Sequence, residues 1–126
     1  MNVKIMSKDT SYVEYVVHDV LGHISGITAK AMFSGWGIYL DGAIIAIIAD
    51  GELYFKANKE LKEKYKQDGY YPVTYDRKGK GRVSKDGTRH DFAKSEMNYL
   101  SVKAEDLENR EEISRRVEES YSLSIR

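Results

Sequence analysis

The residues best equipped for chemistry are three histidines, His18, His23 and His90, two aspartates that precede glycines, Asp41 and Asp50, and a glycine pair around the single tryptophan, Gly35-Trp36-Gly37. The chain has no cysteine, so a zinc site would need the histidines to converge with a carboxylate. His18 and His23 are five positions apart, which on an α-helix turns them about 140° away from each other. A Ser-His-Asp triad would come without the Gly-x-Ser-x-Gly elbow that presents a nucleophile. Gly35-Trp36-Gly37 invites a phosphate-loop reading, but such a loop needs a helix N-terminus directly after its glycines, and Ile38-Tyr39-Leu40 continues as strand. Asp41 and Asp50 are accounted for as turn formers. The expectation is a chain with no catalytic residue, no metal ligand and no cofactor, and thus not an enzyme.

Two patterns point to binding instead. Over 77–94, inside the glycine-bearing segment Asp76 to Lys94, Arg77, Lys78, Lys80, Arg82, Lys85, Arg89 and Lys94 outweigh Asp86 and Asp91 by a local balance of +5. Cations on a loose backbone can adapt to phosphates, which makes Lys78, Lys80, Arg82, Lys85 and Arg89 the candidate nucleic-acid contacts. The second pattern is aromatic: ten tyrosines accompany the tryptophan, and Trp36, Tyr39, Tyr54 and Tyr99 on strands would offer π-faces to bases. The plainer reading of these four is packing, with the polar tip reaching water or a partner.

The elements that must position these residues are organised around Ala29 to Lys56. Asp41-Gly42 and Asp50-Gly51 each divide apolar runs, and Asp-Gly suits the positive φ angles of a type I′ hairpin turn. Ala43 to Ala49 does not alternate apolar with polar, so both of its faces should be covered, one by helices. A homodimer would cover the other, where Ile44 with Ile48 or Ile45 with Ile47 would be left. Before this sheet, Asp9 suits an N-cap, and Val13, Val17, Leu21 and Ile24, with Val16 and Val20 beside them, form a helical stripe closed by Gly22 and Gly26. After it, Asn58 and Gly69 bracket a short helix, and Pro72 marks Tyr70 to Tyr75 as an edge or loop. Asp76 to Lys94 reads as a long hairpin or loop. A strand returns from Glu96 to Val102, with Met97 and Tyr99 facing one way and Leu100 and Val102 the other. Asn109 opens a last helix with an Ile113, Val117, Tyr121 stripe, in an acidic stretch whose balance of −4 over Glu105 to Glu119 roughly offsets the basic segment.

With 126 residues and a formal net charge of +0, the chain reads as one domain, 1–126, large enough for a core without staples. No apolar run approaches the roughly 20 residues of a membrane helix, and Met1 to Lys8 lacks a signal peptide's apolar centre. A soluble, cytoplasmic protein without membrane contact is expected.

Met32-Phe33-Ser34-Gly35-Trp36-Gly37-Ile38-Tyr39, followed by Asp41-Gly42, Ala46 and Ala49-Asp50-Gly51-Glu52-Leu53-Tyr54-Phe55-Lys56, resembles the N-terminal domain of the TfoX/Sxy competence regulators of bacteria. Gly69, Pro72, Thr74-Tyr75 and Met97-Asn98-Tyr99 are similar to later landmarks of that family. The sequence departs from it at Ser34, where a glycine is usual, and at Lys103, where a proline is frequent. The resemblance implies a two-layer α+β domain with an antiparallel sheet and helices mainly on one face, akin to the secretion-chaperone-like architecture. It also implies no known catalytic residues and a role in transcription and competence regulation beside the cyclic-AMP receptor protein. Full-length members carry a second, helical C-terminal domain, whereas a single domain is read here. The functional expectation is a non-enzymatic regulatory or adaptor domain with a protein partner, such as the transcription machinery, and weak nucleic-acid contact. The alternative is a protein-interaction or chaperone-like module that binds no nucleic acid.

Overall fold

The structure, a computed structural model, describes residues 10–32, 35–76, 82–83, 89–90 and 94–125, with the backbone path alone at 76, 82–83, 89–90 and 94. It is an α+β fold of two layers, an open antiparallel sheet of six strands with helices against one face. The strands of the sheet are β1 (Ile27–Met32), β2 (Gly35–Leu40), β3 (Ala43–Ala49), β4 (Glu52–Lys56), β5 (Pro72–Asp76) and β8 (Lys94–Ser101). Their order is β1-β2-β3-β4-β8-β5. Between β5 and β8 the short strands β6 (Arg82–Val83) and β7 (Arg89–His90) pair with each other as a separate ribbon.

Both Asp-Gly turns form as their residue types require. Asp41 and Gly42 have φ of 50° and 87°, Asp50 and Gly51 of 52° and 75°, so both central residues of each turn are left-handed. Leu40 then pairs with Ala43, and Ala49 with Glu52. The registers align helix-facing rows across the sheet: Ala31, Trp36, Ile48 and Leu53 in one, and Ala29, Ile38, Ala46, Phe55, Leu100 and Pro72 in the next.

The two expected sets of β3 isoleucines are recombined by a β-bulge. The β2–β3 register shifts between Ile38 and Tyr39, so Ile45 and Ala46 together oppose Ile38. Ile45 and Ile48 face the helical core, whereas Ile44 and Ile47 face away. Strict alternation would pair Ile44 with Ile48; one extra residue breaks that parity.

The first helix, α1, is α-helical over Ser11–Tyr15 and continues as a π-helical turn over Val16–Val20, closed by Leu21 N–H donating to the Val16 carbonyl at 2.8 Å. The wider turn lets Val16, Val20 and Leu21 all reach the core, where each is at most 4% exposed. Thr10 occupies the N-cap position, and the expected cap, Asp9, lies outside the described residues.

The second helix, α2 (Lys59–Lys66), is capped as its sequence predicts, with Asn58 Oδ1 accepting from Leu61 N–H at 2.9 Å. Gly69, with a φ of 90°, turns the chain toward Pro72 on the edge strand. A short helix unforeseen in the sequence, α3 (Ala104–Leu107), precedes the last, α4 (Arg110–Ser124). Asn109 caps α4 through Glu112 N–H at 3.1 Å. Ile113 and Val117 drive α4 onto β3 and β4, joining Phe55, Ile38 and Ile45 in a core where each is at most 3% exposed. Each such side chain is worth about 1.5 to 3 kcal/mol in area removed from water.

Candidate interaction surface

The face of the sheet opposite the helices follows from the same registers. One row runs Lys30, Gly37, Ile47, Tyr54 and Ser101; a second brings Thr28, Tyr39 and Ile44 into line, with Lys56 and Tyr99 paired beyond; a third runs Met32, Gly35, Ala49 and Glu52. The face is therefore built from tyrosines, methionines and aliphatic residues, with Lys30, Lys56 and Glu52 as its charges on β1 to β4.

Small residues seat its large ones. A Cβ on Gly37 would lie 3.0 Å from Met32 Sδ and 3.1 Å from Tyr39 Cε1, so both side chains rest over the glycine. The other glycine of the motif meets backbone: a Cβ on Gly35 would stand 1.8 Å from the Ile48 carbonyl oxygen. Both positions lie on β2, which makes the Gly-x-Gly a packing device within a strand. Ser101 separates Tyr54 from Tyr71; its hydroxyl accepts from Tyr71 N–H at 3.0 Å, and the two rings meet edge-on with centroids 6.3 Å apart. Both phenols donate to Glu52 Oε1, Tyr71 at 2.8 Å and Tyr54 at 3.4 Å. Burial and this carboxylate push the Tyr54 phenol up to about 12.

Within one chain this layer covers Ile47, one of the isoleucines for which the sequence suggests a homodimer. Ile47 is 7% exposed and Tyr54 8% within a single chain, so Ile47 needs no second copy to bury it. Around them Met32, Met97, Tyr71 and Tyr75 are exposed, and Tyr39, Ile44 and Tyr99 are half-buried. Burial, and then its neighbour Tyr39, raise the Tyr99 phenol above its usual range. Lys30 Nζ lies 5.3 Å from the Tyr39 ring centroid, a cation over a π-face.

Of the four aromatic residues that could stack bases, Tyr39, Tyr54 and Tyr99 share this face. Trp36 does not: paired with Ile48, it points to the helices and packs against the core. The motif from Met32 to Tyr39 carries no signal for the bulge, but the parity from Trp36 to Tyr39 alone would have separated the two. Lys30, Lys56 and Met32 were legible by the same period of two and were missed. Lys78, Lys80 and Lys85 lie outside the described residues. Arg82 and Arg89 fall on the β6–β7 ribbon, Arg82 opposite His90 and Val83 opposite Arg89, a diagonal placement of the two arginines in the register.

Negative charge is held mainly in the other layer. Glu96, on the helix-facing side of β8, accepts from Lys62 at 3.2 Å and Lys66 at 2.7 Å, which holds its carboxyl below the usual range. The acidic stretch 105–119 lies on α3, α4 and their link. Between α1 and the start of α4 a cleft of about 260 Å³ is lined by Tyr15, Asp19, His23, Glu108 and Arg110 among others. His23 Nε2 is there 2.9 Å from Ser114 Oγ. Among the described residues no group of three or more His, Asp or Glu is arranged to hold a metal ion, and no helix is long and apolar enough to cross a membrane.

A helix-backed antiparallel sheet whose second face is left to tyrosines and methionines defines a two-layer α+β domain with an open sheet surface. Residues 19–124 match the family profile of the TfoX N-terminal domain, and the chain belongs to that family. No curated protein matches the chain. Of the two departures from the family pattern, Ser34 lies outside the described residues, and Lys103 places its Nζ 4.6 Å from the Tyr70 ring centroid beside the start of α3.

Proposed function

We propose that this TfoX-family domain is a non-enzymatic regulatory or adaptor module, of the transcription- and competence-regulating kind, that works in the cytoplasm by contact with a macromolecular partner. The observation that carries this reading is the open sheet face, where Met32, Met97, Tyr71 and Tyr75 remain exposed around a packed aromatic layer. Exposed tyrosine and methionine are the residue types that interface centres favour, because they bury much area at small entropic cost or adapt to the partner's shape. The cation-rich segment 77–94, with its local balance of +5, adds a reason to include nucleic acid among the partners.

The test is affinity capture from native extract, with and without nuclease, comparing the wild type with a Tyr39→Leu/Tyr99→Leu variant and with Glu118→Gln on the helical layer. Partner capture that the face variant loses and Glu118→Gln keeps supports the reading. Capture indifferent to the face variant sinks it. A homodimer through the same face is the second reading, favoured by half-buried Ile44, and sedimentation of the isolated protein measures it.

A further inference from the structure

We infer that the open sheet face is a binding surface for single-stranded nucleic acid, with Tyr39 and Tyr99 as stacking platforms and Lys30 and Lys56 as phosphate contacts; this deepens the contact-domain reading and rests on it. Three observations on one surface carry it. The first is the placement of the rings. The backbones of Tyr39 on β2 and Tyr99 on β8 are three strand spacings apart, about 14 Å, with Ile44 beside the first and Lys56 beside the second. Two half-buried phenols on one face can each receive an unpaired base of one strand, whereas the paired bases of a duplex keep their faces stacked on one another.

The second is the sign of the charge. On β1 to β4 this face carries Lys30 and Lys56 against Glu52 alone, and Glu52 sits in the row farthest from Tyr39 and Tyr99, bound by the hydroxyls of Tyr71 and Tyr54. On β8 the open-facing positions are Ser95, Met97, Tyr99 and Ser101, without charge, while the acidic Glu96 is turned to the lysines of α2. The two layers thus differ in sign, and a polyanion is drawn to the open one. A second copy of the chain would bring Lys30 and Lys56 against an equally cationic face, so charge complementarity favours the polyanion over self-association.

The third is preorganisation. Lys30 Nζ is already 5.3 Å from the Tyr39 ring, and Gly37 seats that ring by leaving no Cβ beneath it. A base stacked on Tyr39 would take the ring face that Lys30 now covers and leave the displaced ammonium beside that base's phosphate.

The experiment is fluorescence anisotropy of the full chain with a labelled 12-nucleotide oligothymidylate and with a labelled duplex of the same length, over a salt series. Single-strand binding at least tenfold tighter than duplex binding is expected. Tyr39→Leu and Tyr99→Leu keep apolar volume and remove the π-face, and each should weaken single-strand binding about fivefold to a hundredfold. Tyr39→Phe and Tyr99→Phe keep the ring and should bind within threefold of wild type. Neutralising Lys30 and Lys56 together should flatten the slope of log K against log salt by about 1.4. Equal denaturation midpoints confirm that the variants fold. No oligothymidylate binding at low salt, duplex binding of equal strength, or binding indifferent to the tyrosine variants overturns the inference. So does self-association at the same low micromolar concentration that the tyrosine variants abolish. If partner capture depends on the face while oligothymidylate does not bind, the inference falls and the contact-domain reading stands.

Discussion

The guanidinium of Arg116 lies 4.7 Å from the centroid of the Tyr65 ring, in the helical layer behind the sheet. Phe55 and Tyr70 complete the surround at 5.1 and 5.3 Å, and Arg116 is 2% exposed. Its Nη2 donates to the Leu100 and Ser101 carbonyls at 3.1 and 3.0 Å, tying α4 to the end of β8. Nη1 finds no acceptor among the described residues. Desolvation accordingly lowers the guanidinium's pKa from its usual value, against the pull of Tyr65, Tyr70, Glu119 and Asp106.

Truncating this side chain removes ring contacts and strands two buried carbonyls. Arg116→Ala should cost about 3 kcal/mol or more, whereas Arg116→Met, which keeps volume and drops a buried charge, should cost markedly less. Urea midpoints check this; equal losses in both variants would mean that the two hydrogen bonds, and not the packing, dominate.

The glycines on β2 and in the turns should fail for different reasons. Gly42 and Gly51 have positive φ with open space where a Cβ would go, so Gly42→Val and Gly51→Val should each cost about 1 to 2 kcal/mol through backbone strain. Gly35→Ala meets the Ile48 carbonyl instead and should cost more than Gly42→Ala, because strands β2 and β3 must separate. Chemical denaturation of the four variants ranks them, and a harmless Gly35→Ala would contradict the close approach.

Ile47 tests whether one chain suffices to cover the open face. Buried beneath the tyrosine layer, it should lose about 2 to 4 kcal/mol on Ile47→Ala. The loss should be the same at every protein concentration. A loss that grows with dilution would assign part of the cover to a second copy.

Alkaline titration gives a fourth measurement. Burial, with the carboxylates of Glu52 and Glu119, pushes the Tyr54 and Tyr65 phenols up to about 12 from 10.0. Their folded-state values lie above the unfolded ones, so the protonated phenols favour the fold. That contribution is complete below pH 10 and is lost as pH rises through about 12. Phenolate absorbance should show these two tyrosines titrating late, with Tyr70 raised further still by burial and Asp106, or together with unfolding, and Tyr54→Phe should remove one late step. Early titration of both would contradict their burial.

Much of the fold was written locally. Asp41-Gly42 and Asp50-Gly51 dictate their turns because few residue pairs accept two positive φ angles, and Asn58 and Asn109 cap helices because their side chains reach the first free N–H groups. These features depend on neighbours within four positions, so the sequence by itself determined three strands joined by hairpins, a capped last helix and a family motif. Tertiary structure decided what lies far apart in the chain. The bulge at Ile38 and Tyr39 sent Ile47 to one layer and Ile45 and Ile48 to the other. Arg116 became a buried cation only because Phe55, Tyr65 and Tyr70 arrived from three separate segments to surround it. The open face follows the same rule: Tyr39 and Tyr99 are sixty positions apart, and only strand order and register bring them onto one face. Side-chain direction is set by local period, but which directions meet is set by register across strands, and register is a property of the packed sheet.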